Sequence, residues 1–487
     1  MTTDKKPSRR TITNSGYSEH GASRSKTSML KWFASSKSPH EDISENLELL
    51  RTRSRDLYSG GAPLGKGAVD RIVLNALGSG LKLNVRIDPH LLNMSEEQGL
   101  EWAAKTEAEF DYWASSRLAD FGGELTFYEL QQLALKSILI DGECLAVLQN
   151  RKSSKHCYSL AVQLIETERL QTPASTKSLI WDEGVALDKS GQVIGYNIKN
   201  RNPNAELTGQ PKLEDVYVHK TSNVLHVFPR ERIGQHRGVP FLAPVIEQLK
   251  QLSRYTDAEL MAAVVSGMYS VFFEHTPRED GVYGEDEYAV DSNFGETIEG
   301  ITADMMMGSV MDLPEGVKAT SLSPGRPNQN FGLFIDSLAH QIGGALGIPQ
   351  ELLYLHFTAS YSASRGALLE AWKLFKYWRA WFAESFCRPV YEAFLNEAVS
   401  LGRIDAPLYY EDDFHAKLYS WAEWVGPSQG QLDPTKEVEA AVMKITNNLS
   451  TYQRETGELT GEDWDLVMSA LTRERMKVPA SAGDQEV

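Results

Sequence analysis

The sequence predicts an α+β protein of several regions, and three observations carry that expectation. Apolar residues recur at helical spacing in the long segments that follow Ala68, Leu242, Phe331 and Arg365. Short β-rich runs gather between Glu143 and Phe228 instead of alternating with helices, which places a mixed α/β body in the first half of the chain. Two apolar-striped helices then flank an acidic insertion. At 487 residues, 41% apolar and 24% charged, the composition is that of a folded protein with more than one packed unit.

In chain order, residues 1–40 are rich in Ser, Thr, Lys and Arg and lack apolar periodicity, so a basic disordered arm is expected, with its boundary at residue 45. A helix is expected from near Ser44. Val69, Ile72, Val73, Ala76 and Leu77 keep helical spacing until Gly78-Ser79-Gly80 ends the element. Residues 96–113 and 126–139 read as two further helices. Strands are expected at 143–149, 158–165, 193–198, 216–219 and 224–228, with a turn at Lys189-Ser190-Gly191-Gln192. After Gly238-Val239-Pro240, the stripe Leu242, Val245, Ile246, Leu249 and Leu252 predicts a helix to about Gly267, with Glu247, Lys250, Gln251 and Arg254 off that stripe.

Residues 274–315 hold twelve Asp or Glu and one basic residue, Arg278, an insertion with little core of its own. Phe331, Phe334, Ile335, Leu338, Ile342 and Leu346 share one face of the next helix, which Gly347-Ile348-Pro349 terminates. A small polar segment, residues 356–364, precedes a long helix over 365–401. That helix is crowded with Trp372, Phe375, Trp378, Trp381, Phe382 and Phe386, and Pro389 should kink it. Near the C-terminus, Asp433 before Pro434 is a well-formed helix start, and Thr460-Gly461-Glu462-Asp463 resembles a capping box opening a last helix that stops before Pro479.

Formal net charge is −17, yet residues 1–40 carry +6, so the remainder carries −23. An acidic body argues against a protein that grips phosphates, because tight nucleic-acid binding rests on Lys and Arg releasing counterions. It does not exclude one that DNA slides past. Cys144, Cys157 and Cys387 are scattered without metal-ligand spacing, which fits a reducing cytosolic origin and no metal. The longest nearly apolar stretch, residues 260–273, contains Ser266, Gly267 and Ser270 and falls short of the roughly 18–20 residues that span a bilayer, so no membrane partner is expected. Arg9-Arg10 lacks the apolar region that would make it an export signal.

Gly60-Gly-Ala-Pro-Leu-Gly65-Lys66-Gly67 matches the spacing of a nucleotide-binding P-loop except at its last position. The Ser or Thr that would hold Mg²⁺ is Gly67, and the preceding residues 53–59 are polar where a buried strand is required. A loop before a helix is therefore expected, with no cofactor. His219, His226, His340 and His356 lack a paired ligand or carboxylate in sequence and read as structural or solvent-facing. Ser360, Ser362 and Ser364 lack a nucleophile-elbow context and read as loop-shaping or helix-capping residues. Asp141/Glu143 and Asp412/Asp413 read as solvated loops rather than acid–base pairs, and the aromatics of the long helix as core. No catalytic residue is expected.

The chain resembles the lambda-type family of phage portal proteins over roughly residues 48–475. The resemblance is carried by Arg53-Ser-Arg-Asp-Leu57, Ala68-Val-Asp-Arg-Ile-Val-Leu-Asn75, Gly78-Ser-Gly80, Asp141-Gly-Glu143, Leu164-Ile-Glu-Thr-Glu-Arg-Leu-Gln-Thr-Pro173 and Arg237-Gly-Val-Pro240. Gly347-Ile-Pro349, Tyr361-Ser-Ala-Ser-Arg365 and Leu432-Asp-Pro-Thr-Lys-Glu437 complete the series in the same order. It implies a portal fold: a mixed α/β wing at 46–240 plus 365–414, stem helices at 241–267 and 329–347, a clip with the acidic insertion at 268–328, a tunnel loop at 349–364 and a helical crown at 415–487.

It also implies a homo-oligomeric ring, a dodecamer, at one capsid vertex of the virion, assembled in the host cytoplasm. A large terminase subunit would drive double-stranded DNA through the ring, head-completion proteins would close it, and capsid and scaffold proteins would surround it. On this reading the protein is not an enzyme. Phe357, Thr358, Ser360, Tyr361, Ser362 and Ser364 would face DNA, and Glu285, Asp286 and Glu287 would face the terminase. The alternatives are the packaging ATPase itself, which the missing hydroxyl at Gly67 speaks against, and a capsid or tail adaptor without a channel.

Overall fold

The computed structural model describes residues 23, 26–29, 32–152, 156–174, 179–204, 212–219, 223–268, 272–275, 317–320, 330–357, 360–430, 434–461 and 464–477. The chain divides into two compact units, residues 1–246 with 344–487 and residues 247–343.

The first unit begins with α1 (Pro39–Ser44) and α2 (Leu47–Asp56). The expected arm boundary at residue 45 is thus too late. Ser38 Oγ accepts from the Glu41 amide, the Glu41 carboxylate accepts from the Ser38 amide, and Pro39 occupies the first turn, so a capped helix forms inside the predicted arm. A π turn at Leu57–Gly61 separates α2 from α3 (Pro63–Leu77), which buries Ala68, Val69, Ile72, Val73, Ala76 and Leu77. After β1 (Lys82–Val85) come α4 (Glu96–Ala114) and α5 (Phe127–Asp141), each opened by a capping box, Ser95 with Gln98 and Thr126 with Glu129.

The β-rich stretch holds β2 (Cys144–Asn150), β3 (Leu160–Ile165), β4 (Ile180–Asp182), β5 (Val185–Leu187), β6 (Val193–Lys199), β7 (Asp215–His219) and β8 (Val224–Val227). All pairings are antiparallel, in two sheets of order β3-β2-β8 and β4-β5-β6-β7. Their inner faces share one apolar cluster: Leu145, Ile165 and Val224 from the first sheet meet Val185, Leu187, Tyr196 and Ile198 from the second. Strands β1, β4 and β5 were not expected from the sequence, because three or four residues are too few to show an alternation.

In the second unit, α6 (Ile246–Met268) runs in from the first. Strand β9 (Phe272–His275) pairs antiparallel with β10 (Val317–Thr320), and α7 (Phe331–Leu346) runs out. The two helices meet at Tyr255, whose ring centre lies 5.6 Å from that of Phe331 and 4.9 Å from that of Phe334.

Back in the first unit, α8 (Gln350–Tyr354) precedes α9 (Tyr361–Phe382) and α10 (Arg388–Ser400). Near Pro389, where a kink is expected, a π turn at Ala383–Cys387 joins α9 to α10 and sets Pro389 in the first turn of α10. Most of the aromatics are core, as expected, with Phe382, Phe386, Tyr391 and Phe394 fully buried, while Trp381 is half-buried and Tyr377 is exposed. The Phe110 ring meets Phe127, Tyr391 and Phe394 edge-on at 5.8, 5.7 and 5.2 Å, contacts worth about 0.5–1.5 kcal/mol each beyond area burial. Arg379 of α9 donates to the carbonyls of Ala76 (2.9 Å) and Asn75 (3.2 Å) at the end of α3 and to Pro427 (2.7 Å). A cation there complements the helix dipole, although burial pulls its pKa down to about 10.

Next come α11 (Asp413–Tyr419) and β11 (Ala422–Val425), which pairs antiparallel with β1, then α12 (Pro434–Thr446), α13 (Tyr452–Thr460) and α14 (Trp464–Lys477). Pro434 opens α12 as expected, while Asp433 lies outside the described residues. Thr460 does not open the last helix. It ends α13, with Gly461 as a left-handed cap at φ 75°, and α14 starts at Trp464.

Candidate functional site

The P-loop lookalike is the start of an ordinary helix. Pro63 is in the first turn of α3, so Gly65, Lys66 and Gly67 are helical rather than a phosphate-cradling loop. Lys66 is committed to Asp70 at 3.4 Å and stands 4.3 Å over the Tyr58 ring.

Of Asp141 and Glu143, read in sequence as a solvated pair, Glu143 is buried instead and Asp141 is half-buried. Helix α5 ends in Gly142, whose left-handed φ of 91° turns the chain into β2 and leaves Glu143 at the joint, with no exposed surface. An alanine Cβ at Gly142 would lie 2.5 Å from the Val239 carbonyl carbon, and one at Gly238 would lie 2.0 Å from the Gly142 oxygen. Only two glycines let the Asp141-Gly-Glu143 and Arg237-Gly-Val-Pro240 segments touch backbone to backbone.

That contact brings Arg237 onto Glu143: Nε donates to both carboxylate oxygens (2.9 and 3.1 Å) and Nη2 to Oε1 (2.7 Å), while the Gly238 amide donates to Oε2 (2.8 Å). Arg51 of α2 pairs with Oε1 at 2.7 Å and His226 of β8 with Oε2 at 3.1 Å. The remaining Arg237 donors reach the carbonyls of Glu183, Leu170 and Thr167. Arg55 joins Asp141 (2.6 Å) to Glu168 at the margin.

Burial alone would push the Glu143 carboxyl up, but Arg237, Arg51 and His226 outweigh it and hold it well below the usual carboxylate range. Burial pushes His226 below its ordinary value, against the opposing pull of Glu143. With no exposed nucleophile, this cluster is a junction of α2, α5, β2, β8 and the approach to α6. His226 is the structural histidine the sequence suggests, but the ion pairs could not be found from spacing. The quoted motifs were the only signal.

The small polar segment lies between α7 and α9. Gly347, at φ 68°, ends α7, and Ile348 is buried. Helix α8, which precedes it, was not expected. Leu355 caps α8 in a left-handed conformation at φ 53° and is exposed, as is Phe357. The long helix starts at Tyr361, earlier than the expected Arg365: Ser360 is its N-cap residue, and its carbonyl accepts from the Ser364 amide at 3.0 Å. Ser362 and Ser364 therefore sit in the first turn of α9, not in a loop, with Ser360 and Ser362 exposed. Thr358 lies outside the described residues, as do Glu285, Asp286 and Glu287. From Gln350 to Ser364 there is no Lys or Arg. Asp412 caps α11 at the surface by accepting from the Phe414 amide, in keeping with the solvated reading of that pair. Among the described residues, no group of three His, Cys, Asp or Glu could hold a metal, and no helix is long and apolar enough to cross a membrane.

A family model described as phage portal protein, lambda family, matches residues 25–379. The chain therefore belongs to the lambda family of phage portal proteins and is a structural component of a tailed-phage virion. Portal protein B of Escherichia phage lambda is 23% identical over 428 residues, covering 82% of this chain and 78% of that protein. The portal protein of Escherichia phage N15 is 24% identical over 425 residues, covering 82% and 79%. Among solved structures, a chain in the virion of a native gene transfer agent particle aligns at 13% identity over 83% of this chain and 92% of that one, with a TM-score of 0.44. A chain in the neck of the native particle aligns at 14% over 82% and 91%, with a TM-score of 0.42. The family model and the two phage relatives are portal proteins, and the packaging-ATPase and adaptor alternatives are set aside with them.

Proposed function

We propose that copies of this chain form a dodecameric ring around a channel at one virion vertex. Double-stranded DNA is driven inward through it by a separate terminase, held by head-completion proteins and later ejected. The observation that carries this reading is the portal family match across residues 25–379. The packing of the second unit supports it: Leu260, Met261 and Val264 of α6 and Leu333 of α7 stand exposed, apolar surface that neighbouring subunits would cover. Residues 46–240 with 365–414 are the wing, 241–267 and 329–347 the stem, 268–328 the clip and 415–487 the crown.

The DNA-facing surface in this reading is Phe357, Thr358, Ser360 and the first turn of α9 with Tyr361, Ser362 and Ser364. Hydroxyls without cations touch a sugar-phosphate backbone without holding it. The acidic clip, with Glu285, Asp286 and Glu287, offers the terminase a patch that steers a basic surface. The ring has no ATPase activity of its own, since Lys66 serves a helix. Negative-stain imaging of the purified protein is the test: rings with an axial hole wide enough for duplex DNA are expected, and particles without a hole would overturn the proposal.

A further inference from the structure

Residues 232–238 form no strand or helix, yet they are the chain's approach to α6. One of their side chains, Arg232, is held directly by residues 37–51, and two more, His236 and Arg237, share a carboxylate with His40 and Arg51 respectively. Arg232 donates through Nη1 to Asp42 (3.0 Å) and through Nη2 to the Lys37 carbonyl (3.2 Å). His236 Nδ1 lies 2.8 Å from one oxygen of Asp182, and His40 Nδ1 of α1 lies 2.5 Å from the other. Arg237 and Arg51 share Oε1 of Glu143, each at 2.7 Å.

The last two contacts have the same construction. A carboxylate from the body of the unit, Asp182 or Glu143, is clamped between one side chain of the N-terminal segment and one of the approach segment. Both carboxylates are buried. The Gln235 side chain shapes the turn from within, its Oε1 accepting from the Glu231 (2.9 Å) and Arg232 (3.1 Å) amides. Beyond Gly238, the Phe241 amide donates to the Leu139 carbonyl (3.0 Å), and a 3₁₀ turn at Ala243–Val245 runs directly into α6.

We propose that residues 37–51 act as a clasp on residues 232–238, so that attachment of the N-terminal segment controls the stretch from which α6 starts. A segment without a hydrogen-bonded ladder takes its position from side-chain anchors, and withdrawing one of the side chains that share a buried carboxylate costs that carboxylate a contact and weakens its hold on the other. Releasing residues 37–51 therefore loosens residues 232–238. A partner that seizes the N-terminal segment would be felt at the start of α6. The clasp does not depend on the portal reading.

Hydrogen exchange of the full chain in its assembled state, read by mass spectrometry, tests it. The variants are His40→Ala with Asp42→Ala on the N-terminal side, Arg232→Ala on the other, and all three together. Amides of residues 232–246 are expected to exchange about tenfold faster in the double variant and in Arg232→Ala, and little faster still in the triple, with β2 and β3 unchanged. Should the double variant unfold α1, the clasp is released by that route and the same acceleration is expected. Acceleration confined to residues 37–46, or exchange in residues 232–246 that stays at the wild-type rate, would overturn the proposal.

Discussion

Glu143 ties three elements together, meeting Arg51 of α2, His226 of β8 and Arg237 on the approach to α6 at once. Removing its charge strands Arg51 and Arg237 in a buried site. Glu143→Gln is expected to lower unfolding stability by roughly 3–5 kcal/mol in denaturant titration, and an effect below about 1 kcal/mol would contradict the junction role. The pH dependence follows from the direction of two shifts. His226 is held below its ordinary value near 6.5, so its contribution is complete above that pH and is lost as pH falls through the lower folded value. Glu143 lies below its ordinary value near 4.5, so its contribution is lost at more acid pH still. Melting temperature should be level above about pH 7 and fall below it, and His226→Gln, which keeps a donor toward Glu143 but does not titrate, should remove the upper part of that fall.

At the scale of elements, α9 joins two roles. Its buried side fixes α3 through Arg379 and packs its aromatics, so the exposed N-terminal turn is presented from a rigid base. Replacing Ser360 and Ser362 by Lys is expected to leave ring assembly intact while slowing DNA packaging, most at low salt, where an added cation binds phosphate most strongly. Packaging at the wild-type rate at every salt concentration would remove this turn from the channel wall. For the clip, neutralising Glu285, Asp286 and Glu287 together should weaken terminase association measured by co-sedimentation without dissolving the ring. Unchanged binding would take these residues out of the interface.

For the whole molecule the expectation is assembly. Native mass spectrometry should report a high-order ring, and Leu260→Glu with Val264→Glu should shift it toward monomer, because each places a charge on apolar surface that a neighbour would bury. A ring unaffected by both charges would show that this face of α6 stays in solvent. Purified protein is expected to show no magnesium-dependent ATP turnover, and turnover abolished by Lys66→Ala would contradict the reading of α3 as an ordinary helix start.

The elements that the sequence determined are those whose signal is local. Apolar spacing from Val69 to Leu77 and from Phe331 to Leu346, capping residues at Thr126 and Pro434, and the stop at Gly347 each act within a turn or two, so they are legible without partners. Capping at Ser38 was as local, but the basic composition around it masked the signal. The motif series carried the family because order and spacing along a chain are themselves sequence facts. Tertiary structure decided what depends on distant residues: that β1 pairs with β11, and above all that Glu143 of Asp141-Gly-Glu143 is a buried junction and not part of a surface loop. A carboxylate's neighbours in sequence do not reveal whether two arginines 92 residues before it and 94 after it will arrive. More plainly, Arg51 and Arg237 meet Glu143 only because Gly142 and Gly238 let two backbones close to contact, a fact of packing that no window along the chain contains.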